Sequence, residues 1–243
     1  MYYNQLDNAN KARNGIRKYK PVSSDQSLVI VGYFQTMPQV RGGTLSRKQI
    51  QNLWISLSNR DAVCFDVDST IIRDEDIDRI ADFAGVGDRV SAVTKRAMSG
   101  EISFSVALHE RLNVIKPSRS LISDYMQKHP PRYSQSIKPI ADYLGVSQDN
   151  VFCNEIIFDS EENYQTFDES LYTSQPHGKR RIMDEISRYH NNIIMIGDGA
   201  TDLETAPPAT GFIGYGGNVV REFVKENASW YVYHFDELLK VLN

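Results

Sequence analysis

Short apolar runs alternate along this chain with longer stretches of helical periodicity. Ala62–Asp66 and Ile193–Asp198 read as buried strands, each four or five apolar residues closed by an aspartate. Val151–Asn154, Glu155–Phe158 and Phe212–Gly214 are further strand candidates. Between them, Thr44 to Asn59 places Ile50, Leu53, Trp54 and Leu57 at i, i+3, i+4 and i+7, which predicts a helix. Glu75 to about Met126 also predicts helices, with Ile77, Ile80, Ala81 and Ala84 on one stripe and Leu108, Leu112 and Ile115 on another. Arg180–Tyr189, Glu222–Asn227 and Asp236–Val241 complete the helical segments. This alternation argues for an α/β fold: a doubly wound parallel sheet with its ligand site at the carboxyl ends of the strands. The long helical stretch inserted after the first strand would be a small helical cap.

Composition narrows the class. The chain has 243 residues, 41% hydrophobic and 24% charged, enough to bury a full core and carry a cap. No apolar run approaches the roughly 20 residues that span a bilayer, which excludes the transporting ATPases. Cys64 and Cys153 both sit in strand-like runs and read as buried reduced thiols, with no disulfide framework or zinc site. A cytoplasmic location is the default. Charge is uneven: residues 1–60 hold nine Lys or Arg against Asp7 and Asp25, a balance of +7 within a net charge of −4. The acidic remainder is not a nucleic-acid binder by charge. The basic, acid-poor arm suits either an organelle-targeting segment or a solvated extension, and its lack of an amphipathic face favours the extension.

The two strand-terminal aspartates carry the chemistry. Asp66-Val67-Asp68-Ser69-Thr70 puts two carboxylates at alternate positions, on one side if extended geometry persists. Phosphoryl transfer needs a nucleophile, a cation for the phosphate oxygens and an acid for the departing alkoxide, and such a pair can take part in all three. Gly197-Asp198-Gly199-Ala200-Thr201-Asp202 sets a third carboxylate between glycines that allow close backbone approach. Gly178-Lys179 lies between the two sites and offers a cation for the phosphate.

The ordered set DxDST, GK and GDGATD resembles the haloacid dehalogenase-like phosphohydrolases. Within them the chain looks like the phosphoserine phosphatase family. That closer likeness rests on Ile72-Arg73-Asp74-Glu75, Arg96-Ala97-Met98-Ser99-Gly100, Phe104, Glu110-Arg111-Leu112 and Phe212-Ile213-Gly214-Tyr215-Gly216-Gly217-Asn218-Val219. It covers roughly residues 46 to 243. The resemblance implies an extension over 1–43, a phosphatase core over 44–73 and 134–243, and a cap over 74–133. It also implies hydrolysis of O-phospho-L-serine, the last step of serine biosynthesis, with a small molecule as partner, no nucleic acid or membrane, and room for a homodimer.

Roles follow from the same resemblance. Asp66 would attack phosphorus and become an aspartyl phosphate. Asp68 would protonate the departing serine hydroxyl and then deprotonate water. Magnesium is the cation that hard oxygen ligands favour, held by Asp66, the backbone carbonyl of Asp68 and Asp198. Lys179 would neutralise the phosphate, with Asp202 orienting Lys179 or a metal-bound water, Thr70 behind the acidic pair and Thr201 beside the substrate. On the cap, Glu75 would accept the substrate ammonium and Arg111 would grip its carboxylate. Met98 and Phe104 would close the pocket.

One family feature is missing. Between cap and lysine the family carries a buried strand ending in Ser and followed by Gly-Gly-Phe, whose donors bind the transferring phosphoryl oxygens. Here Tyr133-Ser134-Gln135-Ser136-Ile137-Lys138-Pro139-Ile140 runs directly into Ala141-Asp142-Tyr143-Leu144-Gly145-Val146, and no Gly-Gly occurs between 100 and 200. One core strand is therefore expected to be deleted, baring a sheet edge or drawing the next strand inward. The run Leu28-Val29-Ile30-Val31-Gly32-Tyr33 precedes Asp66, and chain-order rules argue against its use beside the first strand. Two functions stay open: an active phosphatase with a shortened middle, or a splice or gene-model variant that keeps phosphate- and magnesium-binding residues without turnover.

Overall fold

A computed structural model describes residues 27–31, 62–71, 76–98, 101–128, 141 and 146–242. Six strands form one all-parallel sheet: β1 (Ser27–Val31), β2 (Ala62–Phe65), β3 (Val151–Phe152), β6 (Ile193–Gly197), β7 (Gly211–Tyr215) and β8 (Trp230–Val232). Their order is β3-β1-β2-β6-β7-β8. A separate antiparallel hairpin joins β4 (Ile156–Phe158) to β5 (Tyr164–Phe167). The helices are α1 (Asp76–Phe83), α2 (Gly87–Met98), α3 (Phe104–Ile115), α4 (Arg119–Lys128), α5 (Gly178–Ile186), α6 (Ala200–Leu203), α7 (Glu222–Asn227) and α8 (Phe235–Leu242).

Strand alternation builds two cores. Val63 and Phe65 of β2, with Ile194 and Ile196 of β6 and Ile213 and Tyr215 of β7, pack against Phe235 and Leu238 of α8. On the other face Ala62, Cys64, Ile193, Met195 and Phe212 meet Ile182, Met183 and Ile186 of α5. Strands buried on both faces need continuous apolar runs, which is what β2 and β6 supply. Burial also pushes the Cys64 thiol far above its ordinary range, so it stays protonated.

The cap has its own core of Ile77, Ile80, Ala81, Leu108, Leu112, Ile115 and Tyr125. Ser103 opens α3 by accepting the Val106 N–H at 3.4 Å, and Lys116 ends it with a left-handed turn at φ 48°. Phe167 joins this cap core and Tyr164 packs on it, so the hairpin belongs with the cap although it lies far downstream. Glu155–Phe158, expected as a strand, thus serves the hairpin rather than the main sheet.

The sheet corrects one expectation. Leu28–Val31, assigned to a solvated extension and disfavoured by chain order, forms the strand between β2 and β3. Ser27, Leu28, Val29 and Ile30 pair with Ala62, Val63, Cys64 and Phe65, while Ile30 and Val31 pair with Val151 and Phe152. Backbone pairing on two edges outweighs the usual preference for sequential neighbours. Among the described residues, β1 therefore occupies the place beside β2. The helix expected over 44–59 lies outside the described residues.

Candidate active site

Asp66 follows β2 directly, and its N–H donates to Ile196 O of β6 at 2.9 Å, which fixes the point where the chain leaves the sheet. Asp68 is extended at φ −62°, ψ 133°, and Ser69 turns left-handed at φ 56°, so the chain reverses within two residues. Asn218 holds that turn from the far side, donating through Nδ2 to Ser69 O at 3.0 Å. Thr70 lies buried behind the pair, its hydroxyl 3.5 Å from Asp66 Oδ2.

Lys179 is the buried centre of the site. Its Nζ donates to Asp66 Oδ1 at 2.5 Å and to Asp202 Oδ1 at 2.6 Å. All three side chains are at most 4% exposed. Lysine reaches this depth because α5 starts against the Tyr172–Ser174 turn, where Gly178 has no Cβ to overlap the Tyr172 carbonyl. Asp202 Oδ2 accepts the Gly199 N–H at 3.0 Å, so both of its oxygens have protein donors. Gly197 is required nearby, since a Cβ there would overlap the Asp202 side chain.

Asp66, Asp198 and Asp202 are all buried, with ligand oxygens within 4.8 Å of one another. Burial, then the Asp202 charge, raises Asp66 well above the usual carboxylate range, against the pull of Lys179. Asp198 is raised by the same two causes, and Arg221 opposes them. Arg221 donates through Nε to Asp198 Oδ2 at 2.7 Å. Three buried carboxylates facing two cations make a set of hard oxygen donors with negative charge to spare, which fits a small divalent cation. Asp202 is tied down within the same cluster by Lys179 and the Gly199 N–H.

On the cap, Arg111 is buried within α3, with Nε 3.3 Å from Ala107 O, and Phe104 packs partly buried on the cap core. Thr201 sits half-buried on α6 beside Gly199. Glu75 and the Met98 side chain lie outside the described residues. The structure thus brings Asp66, Thr70, Lys179, Asp198 and Asp202 together, with Asp68 on the adjoining turn. Sequence reasoning missed Arg221 and gave Asn218 no role. Their signal was two polar side chains, three residues apart, in the Gly216–Arg221 loop that leaves the carboxyl end of β7.

Comparison with known proteins decides the family. Bovine phosphoserine phosphatase is 39% identical over 225 residues, covering 82% of this chain and 99% of its own. The human enzyme is 40% identical over 222 residues, covering 80% and 97%. The chain belongs to the phosphoserine phosphatases of the haloacid dehalogenase-like superfamily. The chloroplastic phosphoserine phosphatase of Arabidopsis thaliana is 38% identical over 231 residues, covering 83% of this chain and 77% of its own. No protein-family profile matches the chain. A phosphoserine phosphohydrolase-like protein from Francisella tularensis superposes with a TM-score of 0.63 at 25% identity, covering 74% of this chain and 99% of that one. A substrate-bound phosphoserine phosphatase superposes at 0.57 with 23% identity over 74% and 97%, and shows the fold.

The alignment also measures what is missing. Eighty-two per cent of 243 residues is about 199, fewer than the 225 positions aligned to the bovine enzyme. The relative therefore has about 26 residues within the shared stretch that this chain lacks. Among the described residues no helix is long and apolar enough to cross a membrane.

Proposed function

We propose that the chain hydrolyses O-phospho-L-serine to L-serine and phosphate through an aspartyl phosphate on Asp66. The observation that supports this reading most is the Lys179 ammonium bridging Asp66 and Asp202 in a buried site at the carboxyl end of the sheet. An Asp66 oxygen attacks phosphorus as the bond from phosphorus to the serine oxygen breaks, and Asp68 gives that oxygen its proton. Water then attacks the phosphoryl group, Asp68 takes the proton back, and phosphate leaves with Asp66 restored. Lys179 offsets the charge on the transferring group. Magnesium, held by Asp66, Asp198 and the Asp68 carbonyl, would neutralise phosphate oxygens during both steps. Arg111 on α3 and Glu75 before α1 select the carboxylate and ammonium of the substrate, with Met98, Phe104 and Thr201 around it.

The test is direct. The purified chain is expected to release inorganic phosphate and serine from O-phosphoserine with magnesium and not with EDTA. Asp66→Asn is expected to abolish both release and acid-stable phosphoenzyme, because an amide is a poor nucleophile. Retained turnover in Asp66→Asn would overturn the assignment.

A further inference from the structure

We propose that His177 and Glu204 are positioning residues, a clamp between α5 and α6 that sets where Lys179 meets Asp66 and Asp202. The inference rests on Lys179 acting in the hydrolysis proposed above. His177 Nδ1 lies 2.8 Å from Glu204 Oε2. A carboxylate only accepts, so Nδ1 carries the proton and donates, in the neutral ring as in the charged one. His177 stands two residues before Lys179, and Glu204 two residues after Asp202. Two rungs thus join the same two elements: the buried Lys179–Asp202 pair at 2.6 Å and this outer one.

The backbone singles out His177. It enters α5 in the left-handed region, at φ 57° and ψ 25°, where a Cβ is strained and glycine is not. Its side chain does not cap α5, and its carbonyl already opens the helix by accepting the Arg181 N–H at 3.0 Å. The contact with Glu204 is what a histidine adds at this place. The other end of the clamp has more need of it. Helix α6 is one turn of four residues, too short to hold its own shape. The Gly199 N–H and the Thr205 hydroxyl tie Asp202 only within its own segment, at 3.0 Å and 2.6 Å. The two rungs carry that segment across to α5. Without the outer one, the Lys179 ammonium must hold α6 while also serving Asp66. The His177 side chain is 70% exposed, so the pair adds little to stability. Its effect falls instead on the placement of a lysine at a reacting centre, where small displacements slow the reaction.

His177→Gly removes the ring and relaxes the left-handed backbone, so loss of fold cannot imitate loss of the clamp. Deuterium exchange of the 199–205 amides, followed by mass spectrometry, should quicken by about 2–5-fold, the reach of a partly exposed pair. His177→Asn tolerates the same backbone and offers its amide in place of Nδ1, and should restore the parent rate. In phosphoserine assays with magnesium, kcat should fall by the same factor in His177→Gly, with KM unchanged, and recover in His177→Asn. His177→Gly combined with Glu204→Ala should be no worse than either change alone. Unchanged exchange in His177→Gly would overturn the clamp, as would no recovery in His177→Asn or losses that add in the double variant. In a chain that turns over phosphoserine, an unchanged kcat would do the same. A parent chain with no such turnover would overturn the function proposed above, and the exchange measurements would still decide the clamp.

Discussion

Lys179 and Arg221 face three buried carboxylates, and that imbalance governs how single residues respond to pH and metal. Asp66 and Asp198 are raised chiefly by burial, so the folded chain holds their protons more tightly than the unfolded chain does. Their favourable contribution is complete below the unfolded value of about 3.9 and is lost as pH climbs through the raised folded values. Thermal melts in EDTA should therefore show Asp66→Asn with a flatter fall in stability between acid and neutral pH than the parent chain. A steeper fall would mean that the ionised Asp66–Lys179 pair holds the fold together. Arg221 acts differently, fixing one oxygen of Asp198 through its Nε and leaving the carboxylate within the acidic cluster. Arg221→Ala should weaken magnesium binding by about 10–100-fold in calorimetry, the usual effect of losing a group that orients a metal ligand. Unchanged binding would leave Arg221 as a surface partner only.

At the scale of elements, helices and turns decide which charges become buried. Alpha helix α5 begins on Gly178 against the Tyr172–Ser174 turn, and this seat carries the next residue, Lys179, inward. The cap helix α3 carries Arg111 on its buried side, in the row of Ala107, Leu108, Leu112 and Ile115. A guanidinium there either supports the cap or grips substrate, and kinetics separates the two roles. Arg111→Ala should raise KM for phosphoserine by tens to a few hundred-fold, from about 1.5–3 kcal/mol for a charged hydrogen bond. The KM for a phosphate ester without a carboxylate should move far less. Equal changes for both substrates would make Arg111 structural.

At the scale of the whole molecule, a strand from the N-terminal arm closes the sheet but does not bring the family's Ser-Gly-Gly-Phe motif with it, since the sequence has no such string. Losing one preorganised donor to a developing charge costs about 10²–10³ in rate. Assayed side by side with the bovine relative, the chain should therefore turn over phosphoserine about 10²–10³ more slowly, with the same magnesium dependence. Equal rates would mean that other donors replace the motif.

The sequence alone determined the acidic strand ends, the lysine and the cap stripes. Each is a local pattern in which apolar runs, glycines and charges sit at fixed spacing, and strand and helix periodicity converts spacing directly into place. Asp66, Asp68, Lys179 and Asp198 were legible for that reason. Tertiary structure decided what spacing cannot express. The pairing of Val29 with Cys64, the docking of the Tyr164–Phe167 strand on the cap, and the reach of Arg221 to Asp198 join residues distant in sequence. Those contacts form because buried backbone edges, apolar faces and carboxylates each need partners, and only the folded chain determines which partners are near.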